Sequence, residues 1–207
     1  MNLAFSILPR RLVSPTSCLL WALSLSACGG SHWERALAPD PSLDPLDADR
    51  TERGISLDVY HDVVRDKVMN AFSALNRGDA EPALAIMSEK VVYEFEGQHA
   101  LGGTRVSKAA VRRWFARLLH LVPSHFSIRE LEVSGGPANT RIYLQFEDRV
   151  TPLRGKPYVN HGIQVAYLHW GEAYRIHTYI DTALLKSALE HMHQNGIAEA
   201  GAPPITD

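Results

Sequence analysis

From Asp58 to Gly78 the apolar residues Tyr60, Val64, Val68, Ala71, Phe72 and Leu75 recur at helical spacing. That spacing predicts a helix closed by Asn76, Arg77 and Gly78, the glycine being suited to a left-handed cap. Asp79 is placed to cap a second, short helix, "PALAIMSE", with Pro82 tolerated in its first turn. "KVVYEFEG" is rich in strand formers and stops at Gly97, and "ALGGTRV" reads as a loop. Ser107 then caps "KAAVRRWFARLLHLV", where Val111, Trp114, Phe115, Leu118 and Leu119 share one face, and Pro123 closes it.

Strands follow. "HFSIRELEV" leads to the turn "SGGPANT", "RIYLQFEDRV" to "TPLRGKP", and "YVNHGIQVAYLHW" to a tight turn at Gly171 and Glu172 before "AYRIHTYID". A last helix, "TALLKSALEHMHQ", ends near Gly196, with Asp181 placed to cap it and Thr182 as the alternative. Helices, one strand and then a meander of four long strands predict an α+β fold, not a parallel α/β sheet. Helices covering one face of a curved sheet leave room for a pocket between the layers.

"FEDRVT" (Phe146 to Thr151) sets Glu147, Asp148 and Arg149 side by side in a strand. Ile142, Leu144 and Phe146 form one apolar face, and Gln145, Glu147 and Arg149 share the other. Glu147 and Arg149 either line a ligand cavity as a charged pair or form a solvated surface pair of little energetic weight.

The first residues differ from the rest. Arg10 and Arg11, no acid, the short apolar run "CLLWALSLSA" and the small-residue exit "CGGS" predict a secretory leader over residues 1–27. The run is too short to span a bilayer as a helix, which needs about 20 apolar residues. Leu25, Ser26, Ala27 and Cys28 resemble the lipobox of bacterial lipoproteins, which implies a lipid on Cys28 and a place in the cell envelope facing the periplasm or the outside. Residues 28–56, acidic and proline-rich, read as a disordered tether, residues 57–196 as the domain, and residues 197–207 as a flexible tail. The two cysteines, Cys18 and Cys28, both lie in the leader region, so the domain has no disulfide and no thiolate metal site. A net charge of −2, with no lysine run and no aromatic–basic interleaving, argues against nucleic-acid binding.

The order and spacing of "ALNRGD", "VVYEFEG", "GTRVSKAAVRRWF", "GKPYVNHG" and "YIDTALLKSAL" resemble the SnoaL-like branch of the nuclear transport factor 2-like superfamily. The resemblance covers about Val59 to Leu189. It implies a cone: a bent antiparallel sheet against about three helices, with an internal cavity. It also implies that two copies can pair through the open sheet. The superfamily includes isomerases, hydrolases, cyclases and non-catalytic binding domains, so the fold does not give the function.

Aligned with ketosteroid isomerase, Glu94 takes the base position, Ala71 the oxyanion tyrosine, and Gln164 the protonated acid. Losing an oxyanion donor typically costs on the order of 10²–10³ in rate, which disfavours that reaction. Aligned with limonene epoxide hydrolase, Arg149 and Tyr93 are kept, but Thr151 and Thr178 stand where the two carboxylates belong and Phe95 where an asparagine belongs. Tyr93 and Glu94 are adjacent on a strand, so at most one faces a cavity unless a bulge intervenes.

The sequence implies a small, largely apolar ligand in the cone. Glu94 and Arg149 are the catalytic candidates, and Tyr93, Glu147, Thr151, Gln164 and Thr178 the ligand-binding ones. If the domain is an isomerase, hydrolase or cyclase, Glu94 or the Glu147–Arg149 pair supplies its carboxylate. Asn160 and His161 are placed to reach a pocket mouth. His191 and His193 diverge around a helix, so no metal or cofactor is expected.

Overall fold

The computed structural model describes residues 56–207. The leader, Cys28 and the tether up to residue 55 lie outside the described residues. Helix α1 spans Leu57–Leu75, with the Ser56 side chain accepting from the Val59 N–H as its cap. Val64, Val68, Ala71 and Leu75 are buried along it, following the apolar spacing. At its end Gly78 takes φ 79°, in the left-handed region. Asn76 latches this end to the sheet: its amide donates to the Phe126 carbonyl at 2.9 Å and accepts from the Phe126 N–H at 2.7 Å.

Helix α2 is only Glu81–Ala85, because strand β1 begins at Met87 and runs to Phe95. Asp79 accepts from the Glu81 N–H at 2.9 Å, although the cap position itself is Ala80. A short strand β2, Gly103–Arg105, lies inside the segment expected to be loop. Helix α3, Lys108–Leu121, is capped by Ser107, which accepts from the Ala110 N–H. Then come β3 (Ser124–Ser134), β4 (Thr140–Val150), β5 (Tyr158–His169) and β6 (Glu172–Ile180). Trp170 and Gly171, both at positive φ, make the turn from β5 to β6. Helix α4, Thr182–Gln194, is capped by Asp181, which accepts from the N–H groups of Ala183 and Leu184.

The six strands lie in the order β2-β1-β6-β5-β4-β3. The expected antiparallel sheet holds with one exception: β1 and β6 run parallel. Register shifts interrupt β1–β6, β3–β4 and β5–β6, and such irregularities bend a sheet. Among the described residues the result is an open, mixed sheet with four helices, in an α+β cone.

The C-terminal segment, expected to be a free tail, is pinned. Arg105 is fully buried and donates to the carbonyls of Leu101, Gly102, Gly103 and Ile205. Arg113 holds the Thr206 carbonyl and Arg117 the Pro203 carbonyl, while Ser107 donates to the Asp207 carboxylate. A buried guanidinium has to place its N–H donors, and the tail carries one of the acceptors.

Candidate functional site

The concave face of the sheet, closed by the helices, encloses a cavity of about 100 Å³. Val68 and Phe72 from α1, Trp114 and Leu118 from α3, and Leu144 and Phe146 from β4 are among its walls. The Phe146 ring lies over Gly162, its cross-strand partner; a Cβ there would fall 2.2 Å from the ring. Glycine at 162 is thus what lets the ring lie along the cavity wall. For scale, an engineered apolar cavity of about 150 Å³ takes up benzene, so this one suits a molecule of roughly one ring unless it widens.

Two polar groups interrupt the apolar lining. In the first, Gln164 donates to the Thr178 hydroxyl at 2.8 Å, and Tyr93 hydrogen-bonds the same threonine side chain. Burial pushes the Tyr93 phenol up to about 12. This network is internally satisfied.

The second group is not. Asp148 lies opposite Asn160 across β4 and β5, with Tyr158 its diagonal neighbour on the same face. One Asp148 oxygen accepts from Ser124 Oγ at 3.0 Å, and the His125 backbone N–H also reaches the carboxylate. The other oxygen, Oδ1, is buried with no partner among the described residues, and so is the Tyr158 hydroxyl. Burial pushes the Asp148 carboxyl up to about 6. Burial and the Asp148 charge together push the Tyr158 phenol well above its ordinary value. Asn160 is a positioning residue: it donates to the Asp181 carbonyl and accepts from the Asp181 N–H, tying β5 to the start of α4. A carboxyl titrating near 6 in an apolar cavity can donate or accept a proton near neutral pH.

The residues singled out from sequence divide between the two faces of the sheet. Tyr93, Gln164 and Thr178 line the cavity. Glu94, Glu147 and Arg149 do not, because strand alternation turns them to the outer face. Glu147 pairs there with Arg129, and with Arg149 at 3.0 Å. The Arg129 hydrogen bond holds the Glu147 carboxyl below its ordinary value, the opposite of what a cavity acid needs. Thr151 lies past the end of β4 and is exposed. The carboxylate of "FEDRVT" that faces the cavity is Asp148, not Glu147. Its signal was present: it continues the Ile142, Leu144, Phe146 alternation by one more step.

The profile of the SnoaL-like domain family matches residues 68–176, more than half of the chain. The chain belongs to the SnoaL-like domain family. No curated protein matches the sequence. Among solved structures, a nuclear transport factor 2-like protein of unknown function from Burkholderia pseudomallei has 21% identity and a TM-score of 0.55, over 60% of this chain and 95% of its own. TerC, co-crystallised with polyporic acid, has 21% identity and a TM-score of 0.53, over 61% and 98%. PrhC from Penicillium brasilianum has 15% identity and a TM-score of 0.57, over 68% and 94%. At these identities the likeness establishes the fold alone.

On the outer face of the SnoaL-like sheet, Glu94 belongs to a different cluster. It lies beside His177 across the parallel β1–β6 pair, with Glu96 just past the end of β1. His177 Nε2 is 2.8 Å from Glu96 Oε1, and Nδ1 is 3.7 Å from Glu94 Oε2. Tyr179 stacks on the imidazole at a centroid distance of 3.9 Å. Spacing within one element could not reveal this set, because it is assembled from two strands far apart in the chain.

Proposed function

We propose that the cone of this SnoaL-like domain binds a small, largely apolar molecule carrying one polar group, which meets Asp148 and Tyr158. The observation that carries this is that Asp148 and Tyr158, whose Oδ1 and hydroxyl are buried with no partner among the described residues, both line one apolar cavity. Leaving such atoms unpaired costs about 1–3 kcal/mol each, so a ligand hydroxyl or carbonyl placed there recovers energy that the empty protein lacks. TerC, of similar fold, was co-crystallised with polyporic acid, in keeping with an organic ligand in such a cone. The test compares p-cresol with toluene by calorimetry. The phenol is expected to bind roughly 5–100-fold more tightly, and Asp148→Leu to remove that preference. Equal binding of the two compounds by the unmodified protein would refute the reading.

The raised carboxyl favours one further reading, an enzyme in which Asp148 is the general base. It replaces Glu94 and Glu147 as the cavity carboxylate. Exchange of the α-protons of cyclohexanone in D₂O, followed by NMR, is expected to rise through pH 6 and to fall in Asp148→Asn. A flat profile discards this reading and leaves the binding one standing. The leader motif supports attachment of the domain to the envelope through Cys28.

A further inference from the structure

We propose that Glu94, Glu96 and His177 form a site for a divalent transition-metal ion of the zinc class, on the outer face of the sheet and separate from the cavity. One ligand atom from each residue lies within 4.8 Å of the other two. Ligand atoms about 2.1 Å from a shared ion stand on the order of 3–3.5 Å apart, so side-chain adjustments alone close the set. The backbone is already in place: Glu94 and His177 are paired across β1 and β6, and the Glu96 N–H donates to the Thr178 carbonyl at 3.1 Å. Stacking against Tyr179 restrains the imidazole plane.

Charge points the same way. Among the described residues the ion-pair contacts of Glu94 and Glu96 go to His177 alone; Arg175, on the same face of β6, makes none with them. Two carboxylates at the end of β1, sharing one imidazole, leave negative charge that a dication neutralises. Imidazole with carboxylates suits zinc and its neighbours, whereas calcium and magnesium prefer all-oxygen shells. Glu94 and Glu96 keep 24% and 42% of their side-chain surface exposed, so water can complete the coordination. The bound ion clamps the one parallel seam of the sheet.

The test titrates the EDTA-stripped full chain with zinc chloride by calorimetry. One ion per chain is expected, with a rise in melting temperature. Glu96→Gln and His177→Gln should each weaken binding at least 10-fold, by comparison with the roughly 10–100-fold cost of altering even outer-shell partners. Glu96→Gln is a partly exposed, near-isosteric change, so its result stands if His177→Gln folds poorly. His191→Ala should change nothing. No zinc uptake overturns the proposal, and so does uptake of equal affinity in Glu96→Gln, which would assign the ion to other histidines.

Discussion

Replacing Asp148 by asparagine keeps an acceptor for Ser124 and removes a titratable group from the cavity. Moving a carboxyl from 3.8 to about 6 corresponds to about 3 kcal/mol between its protonation states. The sign follows from linkage. The folded protein favours protonated Asp148, so this contribution to stability is full below pH 3.8, declines as pH rises, and is gone above about 6. At pH 8 the native protein carries the ionised, partly desolvated carboxylate, and the asparagine variant does not. The variant should match the parent near pH 3.5 and exceed it by about 2–3 kcal/mol at pH 8. His99 acts in the opposite sense. Burial lowers it from 6.5 to about 4, so its contribution is present above 6.5 and lost as pH falls towards 4. Both proteins carry His99, and the difference between them isolates Asp148. Urea unfolding at the two pH values, read by tryptophan fluorescence, measures this as a midpoint shift of roughly 1–2 M at pH 8. Equal stability at pH 8, or the same gain at both pH values, would show that the carboxylate is not desolvated as described.

Arg105→Met keeps apolar bulk but removes the donors to four carbonyls, and is expected to cost roughly 3 kcal/mol or more and to expose the C-terminal segment to carboxypeptidase. An unchanged melting temperature would contradict the pinning of the tail. Glu147→Gln and Arg149→Ala lie on the outer face and should leave p-cresol affinity as it is; a loss of binding in either would place that pair in the site after all. Cys28→Ser is expected to release the protein from the membrane fraction of its host, and continued sedimentation with membranes would refute lipid attachment at that residue.

Where neighbouring residues decide the structure, the sequence was readable. Ser107 and Asp181 cap their helices as their side-chain chemistry suggests, and Gly78 takes the left-handed turn. Strand alternation placed Ile142, Leu144 and Phe146 on one face, and they are buried together. Where distant residues decide the structure, the sequence was not readable. Gly103–Arg105 is too short and glycine-flanked to look like a strand, and becomes one because β1 offers it an edge. The tail has the composition of a free segment, yet Arg105, some hundred residues earlier, needs its carbonyl. In the site, charge drew notice to Arg149 and Glu147, whereas the pleat assigns the interior to Asp148. Parity along the strand was the better guide.

The parallel seam between β1 and β6 also governs the order of assembly. The β3–β4, β4–β5 and β5–β6 pairs are joined by short turns and can close locally. The seam must instead join the beginning of the domain to its last strand, so its loop-closure entropy is spent before any contact across it forms. Tyr93, on β1, meets Thr178, on β6, only when that has happened. The cavity is therefore a late product of folding, and pulse-labelled amide exchange during refolding should find the β4–β5 hairpin protected before β1.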